Sequence, residues 1–261
     1  MTFKLATWNV NSIKMRTEAA CDWLREAQPD VVCLQEIKCQ DGAFPRSTFE
    51  DLGYNVAVLG QKTFNGVAIL SKWPLSDVRA GLPTFSQDEQ ARYLEAVVSL
   101  EGEAFRVASI YLPNGNPPDT AKYTYKLEWM QALTSHVDDL LAYEEPLLLA
   151  GDYNVIPQPA DVHNPDAWTD DALFRVETRQ NFRALLNRGL TDAFRACDAR
   201  PGQYSFWDYQ AGAWQRNNGL RIDHVLLSPE AAARLESCGI DKYVRRREKP
   251  SDHVPVWSVL N

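Results

Sequence analysis

Residues 146–155 read PLLLAGDYNV: an apolar run, a glycine, then an aspartate and an asparagine two positions apart. A short apolar run bounded by turn-forming residues is the mark of a buried strand. The glycine is expected to let the backbone turn, and Asp152 and Asn154 to point the same way along an extended segment. A carboxylate beside an amide can orient a water while holding a phosphate oxygen. The same residues also suit an Asx-type turn that merely closes a strand. The pattern recurs along the chain. LATWNVN ends at Asn9, VVCLQE at Glu36, and RVASIYLPNG at Tyr111 and Asn114, while RIDHVLL begins with Asp223 and SDHVPVW with Asp252 and His253. Strand ends at one edge of a packed sandwich can converge, so these polar residues could line one cleft.

Outward from this motif, short apolar strands alternate with amphipathic helices, the signature of an α/β fold. Strands are expected at 3–9, 31–35, 54–59, 66–71, 94–100, 105–111, 146–151, 222–228 and 254–259, and helices at 16–27, 120–141, 177–187 and 229–238. No repeat, low-complexity tract or linker divides the chain, so residues 1–261 are expected to form one catalytic domain. Between 152 and 178 lies a Pro- and Asp-rich loop of the length that is usually functional.

Composition narrows the class. Hydrophobic residues at 45% and charged residues at 24% suit a soluble enzyme, and eight Trp, ten Tyr and ten Phe can fill a large core. There is no apolar run of membrane-spanning length and no leader-like N-terminus. The five cysteines are odd in number with no C-x-x-C pair, which argues against a disulfide framework and a zinc knuckle. A cytoplasmic protein with no membrane and no disulfide-linked partner is the expectation, working as a monomer. Net charge is −8, which counts against a protein that coats DNA, since nonspecific affinity comes from Lys and Arg on phosphates. It leaves room for a local basic surface around an acidic metal site.

Two of the four histidines sit in Asp-His pairs. Neighbours on a strand face opposite sides, so in IDHVLL Asp223 is assigned to the site and His224 to packing. Pro250 and Ser251 suggest a turn that could bring both Asp252 and His253 to a rim. His136 and His163 read as structural.

TWNVNS at 7–12, LQEIK at 34–38, NGVAILSK at 65–72, YLPNG at 111–115, GDYNV at 151–155, YSFWDY at 204–209, NNGLRIDHVLLS at 217–228 and EKPSDHVPVW at 248–257 together resemble the exonuclease III family. This is the bacterial branch of the exonuclease–endonuclease–phosphatase superfamily, which also includes abasic-site endonucleases. The resemblance implies a four-layer αββα sandwich of two packed mixed sheets flanked by helices. It implies a DNA-repair nuclease that uses Mg²⁺, with Mn²⁺ able to substitute, on double-stranded DNA carrying abasic sites or 3′-blocked ends. By the same resemblance Asn9, Glu36 and Asp252 look like metal-site residues, joined by Asp152, Asn154 and His253. Asp152 looks like the group that orients or deprotonates the attacking water, and Asn154 like a phosphate-binding amide. His253 looks like a phosphate contact oriented by Asp223, and Tyr111 like an organiser of the phosphate or leaving group. Phe206, Leu220 and Ile222 would line a pocket for a flipped sugar. DNA contact is expected from Asn114, Lys122 and Trp168, and from Arg175 as the start of a basic helix face with Arg179 and Arg183. Lys126 and Trp129 belong to the same rim, and Arg245–Arg247 read as a solvated run. Secreted relatives would carry signal peptides and disulfides. A non-catalytic relative would lose carboxylates that are all present here.

Overall fold

The computed structural model describes residues 2–261. Its strands are Phe3–Asn9 (β1), Val31–Gln35 (β2), Asn55–Leu59 (β3), Val67–Ser71 (β4), Leu75–Ala80 (β5), Tyr93–Leu100 (β6), Glu103–Tyr111 (β7), Leu147–Asp152 (β8), Thr191–Asp192 (β9), Asp223–Leu227 (β10), Leu235–Ile240 (β11) and Val256–Leu260 (β12). The α-helices are Ile13–Ala27 (α1), Arg46–Glu50 (α2), Ala121–Leu141 (α3), Val176–Leu186 (α4), Ala193–Cys197 (α5), Ala213–Arg216 (α6) and Pro229–Ala232 (α7). Two six-stranded sheets result, ordered β11-β12-β1-β2-β4-β3 and β5-β6-β7-β8-β10-β9.

Side-chain alternation builds the layers. On β1, Leu5 faces the other sheet, in a cluster with Val31, Ile69, Val107 and Leu148. Ala6 and Trp8 face outward and pack on Trp23 and Leu24 of α1. On the second sheet, Ala108, Ile110 and Leu149 face outward onto Trp129 and Leu133 of α3 and Phe182 of α4. Helix, sheet, sheet and helix therefore stack as the expected αββα sandwich.

The register brings the polar strand ends together. β1 runs parallel to β2, with Asn9 opposite Gln35. β7 runs parallel to β8, with Tyr111 opposite Asp152. The antiparallel β10 enters with Asp223 opposite Asp152, and β12 leaves the same edge antiparallel to β1. Parallel neighbours must end at one edge, so Asn9, Glu36, Tyr111 and Asp152 share it.

Three expectations need correction. Residues 229–238 do not form one helix. Pro229 and the Ser228 cap start a single turn that ends at Ala232, and β11 then pairs with β12. Tertiary pairing overrides local propensity there. Second, Gly151 is not at a turn. It lies inside β8, where an added Cβ would sit 1.9 Å from the Ile110 carbonyl oxygen. Glycine is needed because β7 approaches so closely. Third, Cys197 at the end of α5 and Cys238 in β11 form a disulfide, with Cα atoms 6.2 Å apart, where the odd cysteine count argues against a disulfide framework. Cys21, Cys33 and Cys39 are free and buried. No helix among the described residues is long and apolar enough to cross a membrane.

Gly151→Ala should therefore cost about 3 kcal/mol or more, because the neighbour is backbone that cannot rotate away. It should also lower catalytic rate by displacing the adjacent Asp152. Thermal denaturation at the wild-type midpoint would refute the close-approach argument.

Candidate active site

Toward the shared edge, the space between the sheets turns polar. Thr7 donates to Gln35 at 3.1 Å, and Gln35 donates to Ser109 at 3.1 Å. One step further out, the buried Asn9 side chain donates from Nδ2 to Glu36 Oε1 at 2.8 Å and to Asp152 Oδ2 at 2.9 Å. A single amide thus ties a carboxylate of one sheet to a carboxylate of the other.

Glu36 follows β2 in a left-handed conformation, φ 49°. Lys38 Nζ lies 2.7 Å from its Oε2 and also donates to Asn11 Oδ1 at 2.6 Å. Burial pushes the Glu36 carboxyl up, but Lys38 and the Asn9 bond outweigh it and hold the pKa below the ordinary value. The group is ionised at neutral pH.

Asp152 is buried at the end of β8. Its Oδ1 accepts the Asn154 backbone N–H at 2.9 Å, and Asn154 takes φ 47°. GDYN is thus an Asx-type turn, and it still delivers both side chains to the cleft. Burial and the nearby Asp223 carboxylate push Asp152 above the usual range, against the pull of His253. Asn154 donates to the Leu112 carbonyl at 2.9 Å and accepts from Asn114 at 3.0 Å.

His253 is the complementary charge. Its Nδ1 is 2.8 Å from Asp223 Oδ2, and its Nε2 is 3.7 Å from Asp152 Oδ2. Ser205 Oγ donates to the same Asp223 oxygen at 2.6 Å. Burial alone would lower the imidazole, but the Asp223 and Asp152 carboxylates raise it above its ordinary value. An imidazolium donates at both nitrogens and has no lone pair for a cation. In that state His253 takes a hydrogen-bonding and electrostatic place, and its ring also stands among the candidate metal donors with Glu36 and Asp152.

Atoms of Glu36, Asp152 and His253 lie within 4.8 Å of one another. Two ionisable oxygen donors in a half-closed cleft suit a hard divalent cation, which needs only one or two carboxylates and keeps its waters. Asp252 lines the same cleft but stands outside that trio, its Oδ1 accepting from Asn11 at 3.0 Å. Tyr111 faces Glu36 and Asp152. Burial and both carboxylates keep its phenol protonated.

The cleft encloses about 300 Å³ and is walled by Trp168, Leu173, Phe206, Leu220 and Ile222, with Asn114 at its edge. The Phe206 ring lies 4.9 Å from that of His253. A larger hollow of about 630 Å³ near Arg46, Tyr54 and Val78 holds only the exposed Arg46–Glu50 ion pair.

The basic residues were less legible. Lys126 and Trp129 are fully buried, so neither lies at a rim. Lys126 Nζ instead donates to the carbonyls of Pro113, Asn114 and Asn154 at 3.1, 3.1 and 2.6 Å, bracing the YLPN and GDYN loops together. Burial lowers its pKa to about 7. Arg175 caps α4 rather than lying in it, and makes a two-pronged pair with Asp119 at 2.7 and 2.9 Å. Arg179 folds onto Phe174, with 4.5 Å from guanidinium to ring, so no continuous basic face forms on α4. Lys122 is exposed at the start of α3, outside the cleft. Sequence reasoning missed Asn11 and Ser205 as site residues. Asn11 shows the same i, i+2 spacing from Asn9 that marks Asp152 and Asn154, whereas Ser205 carries no local signal.

The model of the Endonuclease/Exonuclease/phosphatase family matches residues 6–253. The chain is 34% identical to Exodeoxyribonuclease III of Haemophilus influenzae, over 98% of each chain. It superposes with TM-score 0.95 and 38% identity on a 3′ phosphatase from Neisseria, NExo, bound to a product DNA hairpin, covering 99% of both chains. For an AP endonuclease from Archaeoglobus fulgidus the values are 0.93 and 36%, again over 99% of both. With its carboxylates, imidazole and amides gathered at one sandwich edge, the chain belongs to the endonuclease/exonuclease/phosphatase family, in its exodeoxyribonuclease III branch, and is a phosphodiester hydrolase.

Proposed function

We propose that this chain is a DNA-repair nuclease that hydrolyses the backbone of double-stranded DNA, incising 5′ to abasic sites and clearing blocked 3′ ends. It would act as a monomer with Mg²⁺, or Mn²⁺ in its place. The observation that carries this reading is the Asn9 clamp, which fixes Glu36 and Asp152 beside the His253–Asp223 pair at the floor of an apolar-walled cleft.

Glu36 and Asp152 would hold the cation, which supplies Lewis-acid polarisation of the phosphate and neutralises charge on the leaving oxygen. Asp152 would orient a water and accept its proton. The water oxygen forms a bond to phosphorus as the bond to O3′ breaks, and O3′ takes a proton. The products are a 3′-hydroxyl and a 5′-phosphate. Imidazolium His253, steadied by Asp223, and the free N–H of Asn154 would donate to the phosphate oxygens, where preorganised donors are most effective. Tyr111, kept protonated, is placed to donate toward the leaving group. Phe206, Leu220, Ile222 and Trp168 would receive a sugar without its base, whose extrusion costs less unstacking than that of an intact nucleotide.

A second reading favours 3′-end cleaning over internal incision, supported by the likeness to a chain described as a 3′ phosphatase. Both readings predict loss of activity in EDTA and recovery on adding Mg²⁺. A duplex with one internal abasic analogue and a duplex ending in a 3′-phosphate separate them. Nicking of the first supports incision, while release of phosphate from the second alone supports end cleaning. Failure on both duplexes in Mg²⁺ would end the nuclease proposal.

A further inference from the structure

Beside the cleft lies a second hollow of about 460 Å³, lined by Tyr209, Trp214, Arg245, Arg246 and Pro250. Asp208 lines both hollows, so the two are neighbours. Its carboxylate is turned back onto its own loop, accepting the Gln210 N–H at 2.7 Å. The Tyr209 hydroxyl accepts from Arg16 at 3.0 Å and from Asn11 at 3.5 Å, and Asn11 in turn holds Asp252.

The charge balance here is unusual for a chain of net charge −8. Arg245 is only 8% exposed. Its one hydrogen bond runs from a terminal nitrogen to the Trp207 carbonyl at 3.2 Å, and its Nε has no partner. The guanidinium lies 5.0 Å from the Tyr209 ring centre. Arg16, on the other side of Tyr209, bonds to the carbonyls of Asn11 and Pro250, and its Nε is also unpartnered. Among the described residues, none of Arg16, Arg245 and Arg246 forms an ion pair with a carboxylate. By contrast Arg247, next in sequence, is paired with Glu26. Burying a cation without a counter-charge is costly. A fold that keeps one at the wall of an open hollow has a place for an anion to complete it. Burial lowers the Arg245 pKa against the pull of Tyr209, Asp252 and Asp208, and neither carboxylate pairs with it directly.

We propose that this hollow is a phosphate subsite, in which Arg245, stacked on Tyr209 and helped by Arg246, takes a non-scissile backbone phosphate of the substrate strand. The strand would run from the cleft past Asp208 into the hollow. A planar guanidinium with free N–H groups matches phosphate geometry. The proposal rests on the nucleic-acid reading of the cleft. It adds a binding determinant that touches no reacting atom.

The test uses Arg245→Met, which keeps the apolar stem and removes the charge. Binding to a duplex with a tetrahydrofuran abasic analogue is followed by fluorescence anisotropy in EDTA, so no cleavage is required. The variant should melt at or above the wild-type temperature. Its Kd should rise about tenfold, and the slope of log K against log salt should shrink by about 0.9, the value of one phosphate contact. Replacing neighbouring strand phosphates in turn by neutral methylphosphonates should reveal one position that weakens the wild type but not the variant. Unchanged Kd and salt slope would overturn the proposal. So would a variant that binds DNA normally but loses stabilisation by inorganic phosphate, which would assign the hollow to a free anion. If Arg245→Met fails to fold, the exposed Arg246→Ala decides, and an undiminished salt slope there counts against the subsite. Wild-type protein that binds the duplex yet does not nick it in Mg²⁺ would remove the nuclease reading and leave this one standing.

Discussion

Asp152→Asn should lower kcat by about 10³-fold or more while leaving the melting temperature within a few degrees of wild type. A positioned general base contributes on the order of 10²–10⁴-fold, and this variant also loses an anionic oxygen facing the proposed cation. The fold should tolerate the change. Asp152 accepts from the Asn154 N–H at 2.9 Å, a bond that an amide carbonyl can keep. A neutral amide also relieves the cost of burying a carboxylate near Asp223. The other partner, the Asn9 amide, would meet a second NH₂ group, so some loosening of the clamp is expected as well. Steady-state kinetics on an abasic duplex, with a melting curve on the same sample, checks both halves. A kcat within tenfold of wild type would remove Asp152 from the water-activating role.

The largest expected loss of stability is at Asp161. Its carboxylate is fully buried, accepts from Arg221 at 2.8 and 3.3 Å, and also pairs with Arg195. Arg221, 1% exposed, is shared with Asp192 at 2.9 Å, and its NH1 is 3.0 Å from His224 Nδ1. Asp161→Ala leaves the buried Arg221 with Asp192 alone and the partly buried Arg195 with no carboxylate, a change that costs about 3–5 kcal/mol and on the order of 10 °C in melting temperature. Burial would raise the Asp161 pKa, but Arg221 and Arg195 hold it below the ordinary aspartate value. Its contribution is therefore complete above the unfolded-state pKa of about 3.9 and fades as pH falls through the lower folded value. The gap between wild type and variant should narrow in acid. A urea titration at neutral pH showing less than about 1 kcal/mol of loss would contradict the account of a charge stranded in the interior.

How legible this was in the sequence depended on where each residue gets its free energy. β1 and β2 were read to the residue because both faces of each are buried, and such strands appear as apolar runs whatever their neighbours. β5 and β11 are edge strands with mostly exposed or half-exposed side chains, LSDVRA and LESCGI. Their identity comes from pairing with β6 and β12, which local sequence does not encode. The Cys197–Cys238 bond was hidden for the same reason, since it needs the register of β11 against the end of α5. Lys126 was misread because a lysine on an amphipathic helix is ordinarily a surface residue. Three carbonyl acceptors in two distant loops make it an interior brace. The family motifs bring their residues to one cleft, but the left-handed turn at Asn154 and the two carboxylates facing His253 emerge only when neighbours are in place.

The two halves of the cleft ride on different sheets, Glu36 on one and Asp152 on the other, and the Asn9 side chain bonds both across the seam. The aliphatic stratum beneath, from Leu5 and Ile69 across to Val107 and Leu148, therefore works as a spacer gauge. Thinning or thickening that stratum by a methylene would shift the jaws relative to each other, and turnover would register the misfit well before the melting point did.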